Sequence, residues 1–149
     1  MQPRTTKPWI PVAIALFAVG WGANQFSPML LVYRAQLHLS ADDLGLLFGL
    51  YAVGLIPGLL IGGPASDRFG RRRLVLPFVA LSPVATALTL LAAHTPVALG
   101  GARFLAGVCS GVVFAAGGAW LQELSAGAPA GTGARRAAIA MSEIGRAHV

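Results

Sequence analysis

Four long apolar runs constrain this chain more than any other feature. They cover about 9–33, 44–64, 74–93 and 97–124, and each holds the roughly 20 residues that a helix needs to cross the hydrocarbon of a bilayer. In lipid a backbone must satisfy its own hydrogen bonds, so runs of this length read as helices. The composition agrees: of 149 residues, 56% are hydrophobic and 11% charged, whereas soluble domains carry about a quarter charged residues. The start, MQPRTTKPWIPVAIALF, resembles a secretory signal, with Arg4 and Lys7 ahead of an apolar core. Its apolar character continues to Tyr33, too far for a signal peptide, so an uncleaved first span is expected.

Local signals mark the span ends. Ser40 followed by Asp43 has the spacing of a capping box, and Thr95-Pro96 supplies an N-cap and a first-turn proline. Trp9, Tyr33 and Trp120 fall near the expected interfaces. Pro57, Pro77 and Pro83 are expected to bend their helices.

The net charge of +6 does not point to nucleic acid, because the basic residues lie in short connections between apolar runs. Eight of them, Arg4, Lys7, Arg68, Arg71, Arg72, Arg73, Arg135 and Arg136, fall on one side; only Arg34 falls in the opposite connections. The excess places the N-terminus (residues 1–8) and the connection after the second span in the cytoplasm of a multi-pass protein of the cell membrane. His38 and His94 would lie at the other surface, solvated. The single cysteine, Cys109, lies in an apolar run and reads as a packing residue.

Glycines recur at helical spacing: Gly45 and Gly49, then Gly54, Gly58 and Gly62, with Gly107 and Gly111 in the fourth span followed by Ala115 and Ala119. Small residues four apart let helices approach closely in lipid, so a tightly packed face is expected along the second span.

The stretch GGPASDRFGRRR, 62–73, breaks the apolar pattern. Positive-inside anchoring accounts for its arginines and not for Asp67, since acids contribute little to orientation. A carboxylate beside guanidinium groups at a helix end forms a charge-assisted pair instead. Gly63 and Gly70 are expected to turn the chain at the two ends of a short connection. The order Gly63, Asp67, Arg68, Gly70, Arg71, Arg72 closely resembles the signature loop between helices two and three of major facilitator superfamily (MFS) transporters. Arg103, Gly107 and Gly111 in RFLAGVCSG are similar to the arginine-and-glycine motif of helix four, and Glu123 in WLQEL stands where that family often ends the helix with an acid.

The resemblance implies an all-α polytopic membrane bundle, here four transmembrane helices of an incomplete 12-helix MFS fold. It implies secondary transport of small molecules by alternating access, with two six-helix halves rocking about a midplane site. Asp67, Arg68, Arg71 and Arg72 would belong to the cytoplasmic gate, with Glu123 either their partner or a solvated acid at a helix end. Proton-coupled efflux is one form such transport takes.

Polar residues inside the spans are the other candidates. Arg103 either faces a cavity, binding an anionic group or tuning a proton carrier, or snorkels to the headgroups. Asn24 and Gln25 either line a substrate pathway or hold helices together. No acid lies deep in the four spans. No metallohydrolase, serine-hydrolase or phosphate-loop motif is present, and no cofactor or metal is expected; the expected partners are the bilayer and a small-molecule substrate.

Residues 125–143 read as a cytoplasmic connection towards a fifth helix. The last six residues, Ile144-Gly-Arg-Ala-His-Val149, match one translation of ATC GGA AGA GCA CAC GTC, the start of a common sequencing adapter, and are expected to be foreign. The expectation is an N-terminal fragment that lacks the C-terminal helices and does not transport alone. The alternative is a small membrane scaffold or regulatory subunit that pairs through its Gly-rich faces.

Overall fold

The computed structural model describes residues 8–92, 95–125 and 139. Arg4, Lys7, His94, Arg135, Arg136 and the tail 144–149 lie outside the described residues, as does the connection 125–143 apart from Ser125 and Ile139. The described chain forms five helices: α1 (Trp9–Asn24), α2 (Phe26–Leu37), α3 (Ala41–Phe69), α4 (Arg71–Leu91) and α5 (Pro96–Leu124). They make four stretches long and apolar enough to cross a membrane, α1 and α2 forming one of them.

The first span is therefore two helices and not one. They meet at Gln25. Pro28 stands in the first turn of α2, where its missing N–H would leave the Asn24 carbonyl unpaired in a continuous helix. The Asn24 side chain donates back to the Gly20 carbonyl at 2.9 Å, a local bond that competes with the regular ladder. His38 ends α2 in the left-handed conformation (φ 52°, ψ 39°), and the Leu39 amide then reaches the Arg34 carbonyl at 3.3 Å.

α3 starts earlier than its apolar run suggests, because the cap fixes the start. The Asp43 amide donates to Ser40 Oγ at 3.2 Å, and the Ser40 amide donates to Asp43 Oδ2 at 2.9 Å. The helix then continues through Pro57 and Pro64 to Phe69. The connection expected from Gly63 to Gly70 thus shrinks to Gly70 alone, at φ 92°, a conformation that glycine adopts without a Cβ penalty. Gly63 stays helical, with open space where a side chain would stand. α5 begins on Thr95, whose hydroxyl accepts from the Ala98 amide at 3.3 Å, with Pro96 in its first turn.

α5 is the central helix. Towards the end where α1 starts, Val12, Leu16 and Val19 of α1 cluster with Val113 and Leu121 of α5, and Phe78 and Val79 of α4 pack against them. Towards the other end, Phe26 and Tyr33 of α2 cluster with Leu47 of α3 and Leu99 of α5. Outward-facing apolar side chains such as Leu31, Leu60 and Leu91 are at least 70% exposed, as suits helices whose solvent is lipid.

α3 and α5 approach backbone to backbone. A Cβ at Gly54 would meet the Phe104 carbonyl oxygen, and one at Gly107 the Tyr51 carbonyl oxygen. At Gly58 and Gly111 it would lie 2.5 Å from the carbonyl oxygens of Val108 and Leu55, and at Gly62 it would lie 2.9 Å from the Val112 Cα. Gly45 and Gly49 do not join this face: a Cβ at either would meet nothing within 4 Å. The five-residue step from Gly49 to Gly54 turns the helix by about 140° from the earlier pair, off the packing face.

Candidate functional site

Two clusters of polar side chains stand out, one at the end of the bundle where α3 meets α4 and one buried among the spans. The first gathers where α3 ends, α4 begins and α5 ends. Gly70 turns the chain so that Arg71, the first residue of α4, faces back over the last turn of α3 and across to α5. Its Nη2 lies 2.6 Å from Asp67 Oδ1 and 2.9 Å from Glu123 Oε1. Its Nε also donates to Glu123 Oε1, at 3.0 Å. Nη1 donates to the hydroxyl of Ser66, which donates in turn to the Gly63 carbonyl at 2.7 Å. Ser66 is buried, whereas Asp67 and Glu123 are largely exposed.

The charges fit the helix ends collectively and not singly. Asp67 and Glu123 sit at C-terminal ends, where the helix dipole disfavours an anion, and Arg71 sits at an N-terminus, where it disfavours a cation. Bringing the three together offsets all three mismatches: one guanidinium serves two carboxylates and lies against two negative helix ends. What the arrangement can do is tie three helix ends with one side chain. Arg68 and Arg72 are exposed, and among the described residues no carboxylate lies within 4 Å of either; the Arg68 guanidinium lies 5.7 Å from the ring centroid of its neighbour Phe69. Ser66 was not singled out in the sequence, because a serine beside so many charges carries no signal of its own.

The second cluster surrounds Arg103. This side chain does not reach for the bundle's outer surface: it is 3% exposed, and among the described residues no carboxylate lies within 4 Å of it. Its guanidinium carbon lies 4.2 Å from the ring centroid of Phe26 and 4.6 Å from that of Tyr51, and Nη1 donates to the Ala23 carbonyl at 3.3 Å. Nearby, the Tyr33 hydroxyl donates to the Thr89 carbonyl at 3.4 Å. Arg103, Gln25, Tyr33 and Thr86 line a cavity of about 20 Å³, room for about one water molecule. Gln25 and Thr86 also line a wider cleft of about 520 Å³ between α1 and α4, with Ser82 and Pro83 on its α4 wall. Asn24 is exposed, its amide turned back on its own helix. The structure thus brings Gln25 and Arg103 together and leaves Asn24 apart.

Comparison with known proteins now decides the family. The family model described as Major Facilitator Superfamily matches residues 12–144. The chain belongs to that superfamily. Among curated relatives, the 3-(3-hydroxy-phenyl)propionate transporter of Escherichia coli K12 is 37% identical over 70 residues, 47% of this chain and 17% of the relative. The multidrug resistance protein MdtL of Escherichia coli O139:H28 is 32% identical over 80 residues, 54% of this chain and 20% of that protein. The matched stretch thus spans a fifth or less of these relatives. No solved structure matches the chain. Family membership and four bilayer-length apolar helices make this a multi-pass membrane protein.

Proposed function

We propose that these four spans work within a longer secondary active transporter, which moves small molecules across the cell membrane by alternating access. In this reading the N-terminus and the Arg71 cluster face the cytoplasm, and the cluster is a latch of the inward gate. The observation that carries it is the single guanidinium of Arg71 shared by Asp67 and Glu123, across the ends of three helices, in a chain of this superfamily. The names of the two relatives, a transporter and a multidrug resistance protein, support transport as the parent's activity.

The latch has to be weak to work. A partly exposed ion pair contributes about 0.2–1 kcal/mol, small enough for differential binding of a substrate to overcome. Opening that side separates Arg71 from Glu123, while Asp67, one turn away across Gly70, stays within its reach. Gly70 supplies the turn, the backbone carbonyl of Gly63 anchors the Ser66 hydroxyl, and Arg68 and Arg72 offer guanidinium groups to partners beyond these helices. Gln25 and Arg103 contribute to the wall of the substrate pathway, and Asn24 borders it. Any proton coupling depends on an acid outside these helices' interiors, because Asp42, Asp43, Asp67 and Glu123 all stand at helix ends. The four spans alone do not transport in this reading, since two halves are needed to rock about a site.

A scaffold pairing through glycine faces is less well supported: Gly54, Gly58 and Gly62 already face Gly107 and Gly111 within the chain. The test of the latch is Glu123→Gln, which removes the charge that parts from Arg71 on opening, in the full-length parent reconstituted in proteoliposomes. The transport rate should change by a factor of about 1.4–5, the range that 0.2–1 kcal/mol allows, with membrane insertion intact. An unchanged rate removes the gating role.

A further inference from the structure

A buried guanidinium without a carboxylate is costly unless its surroundings supply electron density. Around Arg103 that density comes from the Ala23 carbonyl and from the faces of Phe26 and Tyr51; its Nε has no hydrogen-bond partner. Two of the three contacts lie at the break in the first span. Ala23 belongs to the last turn of α1, where carbonyls lack intrahelical partners and the dipole is negative, so a cation is favoured there. Phe26 opens α2. The third contact, Tyr51, belongs to α3.

The aromatic contacts extend the connection. The Phe26 ring lies 5.6 Å from that of Tyr33 and meets Phe48 of α3 edge-on at 5.3 Å. The Tyr33 hydroxyl reaches the Thr89 carbonyl of α4. One side chain on the central helix therefore touches both sides of the Gln25 break directly and, through Phe26 and Tyr33, connects it to α3 and α4.

We propose that Arg103 is a positioning residue: it caps the C-terminal end of α1 and grips the first ring of α2, fixing the angle at which the first span breaks. The angle of a helix break is set by whatever satisfies the freed backbone groups, and here that group is the Arg103 guanidinium. The role does not depend on the transport reading. An anion that binds Arg103 has to compete with Ala23 and the two rings, and so loosens the break.

The experiment measures the break itself. Spin labels are placed at Ile14→Cys and Leu31→Cys, exposed sites on α1 and α2, in the whole chain carrying Cys109→Ala, in liposomes. The 17 intervening steps predict a separation of about 25 Å for a nearly straight span, and double electron–electron resonance gives its distribution. Arg103→Met should about double the width of that distribution, as a break without its cap samples more angles. Arg103→Lys should restore most of the narrowness, since an ammonium still caps the carbonyl and sits over a ring. Tyr51→Phe, which keeps the ring, should match the parent, and Tyr51→Leu should broaden the distribution. A parent-like width in Arg103→Met overturns the proposal. Should that variant fail to insert, equal widths for Tyr51→Leu and Tyr51→Phe overturn it instead.

Discussion

At the scale of single residues, three consecutive arginines pose a choice that their own sequence cannot make. Arg71, Arg72 and Arg73 are chemically identical, and Arg68 lies next to Asp67 in sequence. Arg68 is one helical step from Asp67, about 100° around α3, so it points away. The turn at Gly70 brings Arg71, and not its successors, over Asp67 and Glu123. The pairing of unlike charges was legible in the motif; the member that forms it was not. Ser66 was invisible for the same reason: its hydroxyl matters because Arg71 lies above it. A double-mutant cycle of Arg71→Met and Glu123→Gln, followed by unfolding in detergent, should give a coupling of about 0.2–1 kcal/mol, the range for a partly exposed pair. Additive effects would mean that the contact contributes nothing to holding α4 and α5 together.

Among the helices, glycine spacing indicated a packing face but overstated its length. Gly54, Gly58 and Gly62 meet α5, whereas Gly45 and Gly49 look onto open space. The five-residue step between the two sets was visible in the sequence and decides the matter, because helical phase accumulates at about 100° per residue. This separation makes a contrast. Gly107→Ala forces a methyl into the Tyr51 carbonyl and should destabilise the bundle by about 1–3 kcal/mol, the usual cost of overpacking. Gly49→Ala meets no atom and should be neutral or slightly stabilising, since alanine is favoured over glycine within helices by about 1 kcal/mol. Denaturant titration of both variants in the same detergent checks the pair, and equal effects would dismiss the α3–α5 face. The break in the first span had weaker signals, Asn24 and Pro28 among apolar neighbours, and apolar length alone bridged it.

For the molecule as a whole, the apolar exterior and the family assign the environment, and the proposed side rests on the charge asymmetry. In intact cells carrying the Cys109→Ala chain, a membrane-impermeant thiol reagent should label Ala41→Cys, at the start of α3, directly. Arg72→Cys, past its end, should label only after permeabilisation. The reverse pattern would turn the proposed orientation over. The sequence by itself determined the number of bilayer-length runs, the capped starts at Ser40 and Thr95, the superfamily and the place of the charged run at the turn after the second span. These follow from the length of hydrophobic segments and from contacts within a few residues, which any copy of the local sequence reproduces. Only the tertiary structure decided which guanidinium meets which acceptor. Arg71 and Glu123 are 52 residues apart, Arg103 and Ala23 80 apart, and nothing local specifies either contact. The close approach of α3 to α5 and the break at Gln25 carry those side chains into reach, so both clusters are products of helix packing.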